Sequence, residues 1–285
     1  MNVSTGGDAA AMDYRMNTLH SYARLILAVA LVAAASAPAT AQRRSETEAF
    51  TWSGRIPDGR WIMIRNVNGP IEVLPGTSDR VEVTASRHTR RGNPEFVRFE
   101  VKKFGSGDQD VLVCALWGEN ATCDETGYRS RGSWSSRDND VNVDFTVRVP
   151  RNVKVAAYSV NGEVRVREVT SEVDAETTNG SVVVSSASGP VNARTTNGNV
   201  RVTMGRFDLK SDLAFETTNG SVIAEFAQDI DAEVDLRTVN GRFMTDFPVT
   251  VSGRIDPRRL RATLGKGGPR IRLATVNGNV ELRRR

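Results

Sequence analysis

The side chains able to do chemistry are few and scattered. Cleaving a polysaccharide calls for two carboxylates about 5–10 Å apart. The best pair is Asp174 and Glu176, which at i and i+2 of one strand share a face about 7 Å apart. Glu163, Glu216 and Asp235 fall singly in other segments. Beyond residue 41 the sole histidine is His88, and no Gly-x-Ser-x-Gly nucleophile elbow occurs. Asp138-Asn139-Asp140 offers hard oxygen donors but lacks the rest of a calcium loop. Gly265-Lys266-Gly267-Gly268-Pro269 lacks the Gly-Lys-Ser/Thr ending of a phosphate loop. Cys114 and Cys123 match no common zinc spacing, and an oxidising compartment would let them close a disulfide. No catalytic residue, cofactor or metal is therefore expected. Trp117, Tyr128 and Trp134, set among arginines, are the candidate binding surface, because an aromatic ring offers a broad apolar face to a sugar or a partner.

The elements that would carry these residues are set by one repeated phrase. Asn-Gly recurs at Asn68-Gly69, Asn161-Gly162, Asn179-Gly180, Asn197-Gly198, Asn219-Gly220, Asn240-Gly241 and Asn277-Gly278. Spacings from Asn161 to Asn240 are 18, 18, 22 and 21 residues, and a period near 20 marks a repeat architecture. Apolar residues stand six and four before each Asn and three after it, as in Val173, Ala175 and Val182 around Asn179. Each unit thus reads as two short alternating strands joined at a corner where Asn-Gly tolerates φ > 0. The same pattern permits antiparallel hairpins. Glu176, Arg194, Glu216 and Arg237 occupy one position of successive units, and stacking would make them a column of alternating charge beside an asparagine ladder. The expected fold is accordingly all-β, a β-solenoid of two-strand repeats, with a β-sandwich or roll of hairpins as the alternative. The 37 residues between Asn240 and Asn277 read as an irregular closing turn.

Arg24, the apolar run Leu25–Ala35 and the small-x-small site Ala39-Thr40-Ala41 read as an export signal over residues 1–41. Its eleven apolar residues are too few for a membrane span, which needs about 20. Residues 42–52 read as a linker, and 53–285 as one β-repeat domain with a loop insertion at 117–139. An exported chain of net charge +4 and pI near 9.3 favours anionic partners, here an envelope polysaccharide, a lipid surface or another envelope protein, and no nucleic acid is expected. Periplasm or cell surface is the expected location.

The repeats, the strand Val147-Arg148-Val149-Pro150-Arg151-Asn152-Val153-Lys154-Val155 leading into them and the ending Ile271–Leu282 resemble the bacterial putative-adhesin domains of unknown function. The resemblance spans roughly Phe50 to Leu282 and implies an exported β-solenoid-like domain of the cell envelope. The functional expectation is non-catalytic adhesin-like binding or scaffolding, the alternative being a polysaccharide-active enzyme on a β-helical frame.

Overall fold

The computed structural model describes residues 49–89, 91–130, 140–206, 208–251 and 256–285. The expected signal (1–41), most of the expected linker, Asp138-Asn139 and Trp134 lie outside these residues. In chain order the strands begin with β1 (Phe50–Gly54), β2 (Trp61–Arg65), β3 (Ile71–Pro75), β4 (Val81–His88), β5 (Val97–Phe104) and β6 (Asp110–Trp117). A small hairpin, β7 (Ala121–Asp124) with β8 (Gly127–Ser130), precedes β9 (Asn142–Val149). The regular units follow as β10 (Lys154–Asn161) with β11 (Val164–Arg167), β12 (Val173–Asn179) with β13 (Val182–Ala187), β14 (Val191–Asn197) with β15 (Val200–Met204), and β16 (Leu213–Glu216) with β17 (Val222–Phe226). The chain ends with β18 (Ala232–Arg237), β19 (Phe243–Thr245), β20 (Arg259–Leu264), β21 (Arg270–Ala274) and β22 (Val280–Arg284).

Apart from the β7/β8 pair, these strands form two ten-stranded sheets facing each other. One runs β1-β4-β9-β3-β11-β13-β15-β17-β22-β19, the other β20-β18-β21-β16-β14-β12-β10-β2-β6-β5. Within the stack the pairing is parallel, with Val155 opposite Val173 and Val173 opposite Val191 in one sheet, and Val164 opposite Val182 in the other. Parallel pairing in this register is that of a solenoid and excludes the roll of hairpins. The residues six and four before and three after each Asn line the interior, where Ile62, Val155, Val173, Val191 and Val234 are essentially inaccessible. Burial of such side chains contributes roughly 1.5–3 kcal/mol each and holds the sheets together.

The corners show why the phrase repeats. The first Thr of the phrase turns inward, and its hydroxyl donates to the glycine carbonyl of the neighbouring unit: Thr177 to Gly162, Thr195 to Gly180, Thr217 to Gly198, Thr275 to Gly220 and Thr238 to Gly278, all at 2.8–2.9 Å. In the outlying copy, Asn66 fills the same role through its amide, which donates to Gly69 O and Val143 O. Outside the corner, the asparagine side chains form the expected ladder from Asn161 through Asn179, Asn197, Asn219 and Asn277 to Asn240, at 2.7–2.9 Å. A third ladder follows the glycine, where Ser181, Asn199, Ser221 and Asn279 side chains accept from the next unit's backbone N–H. The corner asparagines do not adopt positive φ. The positive φ falls on the glycine instead, at 147–154° in Gly180, Gly198, Gly220 and Gly278, and close approach adds a second requirement: a Cβ on Gly198 would lie 2.0 Å from Gly180 O, and one on Gly220 2.0 Å from Gly198 O.

The stack does not follow chain order at either end. The unit β6/β9 lies outside β2/β3, and the final unit β21/β22 is inserted between β16/β17 and β18/β19. The segment expected to be a closing turn therefore holds a strand, β20, that pairs antiparallel with β18 and closes one end of its sheet. At the other end, β5 covers β6, and β4 and β1 cover β9, also antiparallel. Three further expectations are corrected. β1 begins at Phe50, so the last residues of the expected linker belong to the sheet, held by pairing with β4. The expected 117–139 loop contains an ordered hairpin, β7/β8. The charge column is interrupted, because Ala274 of β21 stands between Glu216 and Arg237.

Candidate functional site

The aromatic surface expected from the sequence is not formed by its described members. Trp117 is 2% exposed: as the last residue of β6 it points into the solenoid, with its indole N–H donating to Val141 O. Tyr128 is half-buried, its hydroxyl accepting from the Trp117 backbone N–H and donating to its carbonyl. The Tyr128 ring thus fastens the β7/β8 hairpin to the body, while the Trp117 ring belongs to the core. Cys114 and Cys123 are disulfide-bonded, with Cα atoms 6.4 Å apart. The bond clamps β7 over a second apolar cluster, Met63, Leu112, Leu116 and Ala156, on the outer face of the sheet. Lys102 and Arg98 donate to the carbonyls of Cys123, Glu119 and Ala121 and seal the hairpin's edge.

Of the carboxylate pair on β12, Asp174 is likewise engaged, while Glu176 is exposed. Tyr158 Oη donates to Asp174 Oδ2 at 2.7 Å, and the Arg65 guanidinium lies 4.5 Å from the Tyr158 ring centre. Burial, then the bond to Asp174, raises the Tyr158 pKa and keeps the phenol protonated as a donor. Among the described residues, no group of three or more His, Cys, Asp or Glu side chains converges to hold a metal ion.

The charged face that the fold does assemble lies on the outer side of β21, β18 and β20. Pairing registers place Arg270, Glu233 and Thr263 in one row, Arg272, Asp235 and Arg261 in the next, and Ala274, Arg237 and Arg259 in the third. Alternation puts all nine on the solvent side, since Ile271, Leu273, Val234, Leu236 and Ala262 turn inward and are buried. Seven of the nine, including all five arginines, line a groove of about 400 Å³ together with Val234.

Asp235 organises its centre. Its side chain is 9% exposed, and both Arg237 and Arg259 fork onto its two oxygens at 2.7–3.1 Å. Burial by itself would raise the Asp235 carboxyl, but the hydrogen bonds and charges of Arg237 and Arg259 override it and hold the group well below the usual carboxylate range. Arg272 is tied to Glu216, which also faces Arg194 at 3.6 Å. Glu233 accepts from the Thr263 hydroxyl at 3.0 Å. Arg261 and Arg270 are exposed and have no acidic partner among the described residues. Five arginines against Glu233 and Asp235 leave the groove with three net positive charges.

None of these five arginines was singled out from the sequence as a binding residue. The signal was present as Arg259-x-Arg261 and Arg270-x-Arg272, pairs at i and i+2 that a strand places on one face. Only tertiary pairing brings the two pairs to opposite sides of β18.

Residues 130–283 match the family model described as Toastrack DUF4097. No curated protein matches the chain. Among solved structures, a Clostridium sporogenes protein described as a "putative cell adhesion protein" is similar at 10% identity and a TM-score of 0.49, covering 84% of this chain and 100% of that one. A Bacteroides fragilis "putative adhesin" is similar at 12% identity and a TM-score of 0.34, over 84% of this chain and 97% of that one. A Parabacteroides distasonis "putative adhesin" gives 10% identity and a TM-score of 0.23, over 82% and 97%.

Proposed function

Since the chain belongs to the Toastrack DUF4097 family, we propose that it is an exported, non-catalytic, adhesin-like binding protein of the cell envelope. The arginine face of β21, β18 and β20 carries this reading. Guanidinium groups stay protonated at any physiological pH, so a face built of them can hold a ligand but cannot pass protons to it. Its two carboxylates are already committed, Asp235 to two arginines and Glu233 to Thr263. Elsewhere, the residues of the repeated phrase are consumed by the ladders that join the units, which leaves the variable outward positions to meet a partner. The Cys114–Cys123 bond supports an oxidising compartment, and with it export to the periplasm or cell surface. The partner classes this surface serves are an envelope polysaccharide, a lipid surface or another envelope protein.

The test is retention of the purified protein on envelope extract and on whole cells, with turnover of acidic polysaccharides followed in parallel. Saturable retention without turnover is expected. Turnover that disappears in Asp174→Asn or Glu176→Gln would replace the binding role with a catalytic one, and absence of retention on every envelope fraction would remove the binding role.

A further inference from the structure

The geometry points to the groove across β21, β18 and β20 as a site for an extended acidic oligosaccharide, its carboxylates taken by Arg261 and Arg270 at the two flanks and by Arg237 and Arg259 at the centre. This rests on the non-catalytic binding reading and names the ligand class of that same face.

Three features carry it. The first is pre-organisation. Asp235 fixes Arg237 and Arg259 in place through four hydrogen bonds, yet each guanidinium has five N–H donors and spends only two here. The remaining donors are held ready at little entropic cost. The second is the pair Arg261 and Arg270, which stand on β20 and β21, two strand spacings apart with β18 between them and two residues offset along it, about 12 Å in all. Charges that far apart suit a chain bearing an anion on successive units better than one compact anion. The third is shape and polarity. A groove of about 400 Å³ has the size of a small-ligand cleft. Its sole apolar lining residue, Val234, is 2% exposed, so nothing on this face can insert into a bilayer. The face also has no aromatic side chain to stack nucleic-acid bases. Thr263 and Glu233 add polar edges of the kind sugar hydroxyls use.

Binding of a galacturonate hexamer to the full chain, measured by titration calorimetry, tests this directly, with maltohexaose, inorganic phosphate and anionic phospholipid vesicles as parallel probes. Saturable binding of the hexamer is expected, weakening as salt rises from roughly 50 to 500 mM. The double variant Arg261→Ala/Arg270→Ala should bind at least tenfold more weakly. Arg165→Ala/Arg167→Ala, on the opposite sheet, should bind as the wild type does. Thermal melts of both variants establish that each is folded. Equal binding of maltohexaose, unchanged affinity in Arg261→Ala/Arg270→Ala, or binding of phosphate or vesicles in place of the hexamer would each overturn the assignment. If the protein is retained on whole cells but ignores the hexamer, the ligand class is wrong and the binding role stands. If it is retained on neither, both fall.

Discussion

Replacing Thr195 with valine isolates what the inward threonine contributes. Thr195 is 6% exposed, and its hydroxyl donates to Gly180 O at 2.8 Å. No other hydrogen bond to that carbonyl occurs among the described residues, because the preceding unit's Gly162 N–H and Val164 N–H serve Asn179 O and Ser181 O on either side of it. Valine keeps the shape and the β-branch but strands a buried acceptor, which costs about 1–3 kcal/mol. For a domain of this size, 1 kcal/mol moves the melting temperature by about 2–4 °C, so Thr195→Val should melt about 2–12 °C lower. Thr195→Ser keeps the hydroxyl and loses one buried methyl, costing roughly 0.8 kcal/mol. The order wild type, Ser, Val in denaturant or thermal unfolding is the expected result. Intrinsic strand propensity alone would rank Val level with or above Thr. A valine variant as stable as wild type would therefore refute the hydroxyl-to-glycine ladder as a source of stability. Thr177 and Thr275 lie three strand spacings apart, about 14 Å, so their valine variants should add within roughly 0.5 kcal/mol.

Other perturbations separate the remaining causes. Gly198→Ala drives a Cβ to 2.0 Å from Gly180 O and should cost about 3 kcal/mol or more, whereas Gly127→Ala, with nothing within 4 Å, should stay within about 0.5 kcal/mol in the same melt. Cys114→Ser/Cys123→Ser opens a nine-residue separation worth about 2.5 kcal/mol of chain entropy, and should raise hydrogen exchange in β7/β8 while leaving β12–β17 protected. Asp235 has a folded pKa depressed below the ordinary carboxylate value, so its stabilisation is complete above about pH 4 and is lost as pH falls through the depressed value. The melting-temperature gap between wild type and Asp235→Asn should accordingly be full at neutral pH and narrow on acidification. A gap that is constant with pH would show that the carboxylate charge is not what holds Arg237 and Arg259.

What was legible in the sequence was local and periodic. Asn-Gly at a period near 20, with valines and alanines at constant offsets, determined the two-strand unit, its inward face and its corner; the asparagine ladder followed once parallel pairing made equivalent positions of stacked units meet. The same periodicity could not rank neighbours. Most units present nearly the same apolar and hydrogen-bonding edge to the next, so sequence adjacency is a weak guide to which edge a unit joins. Only the tertiary structure decided that β21/β22 enters between β16/β17 and β18/β19, where Arg272 reaches Glu216, leaving β18 with an open edge that β20 closes. That exchange interrupts the charge column at Ala274 and assembles five arginines from three strands across 36 residues of chain, from Arg237 to Arg272. Burial likewise decided Trp117: an aromatic beside a glycine-rich segment reads the same whether it ends a core strand or stands in solvent, and the sheet's alternation turned it inward. Repetition thus encodes the rack through contacts between like positions, while the binding face arises where unlike units are made neighbours.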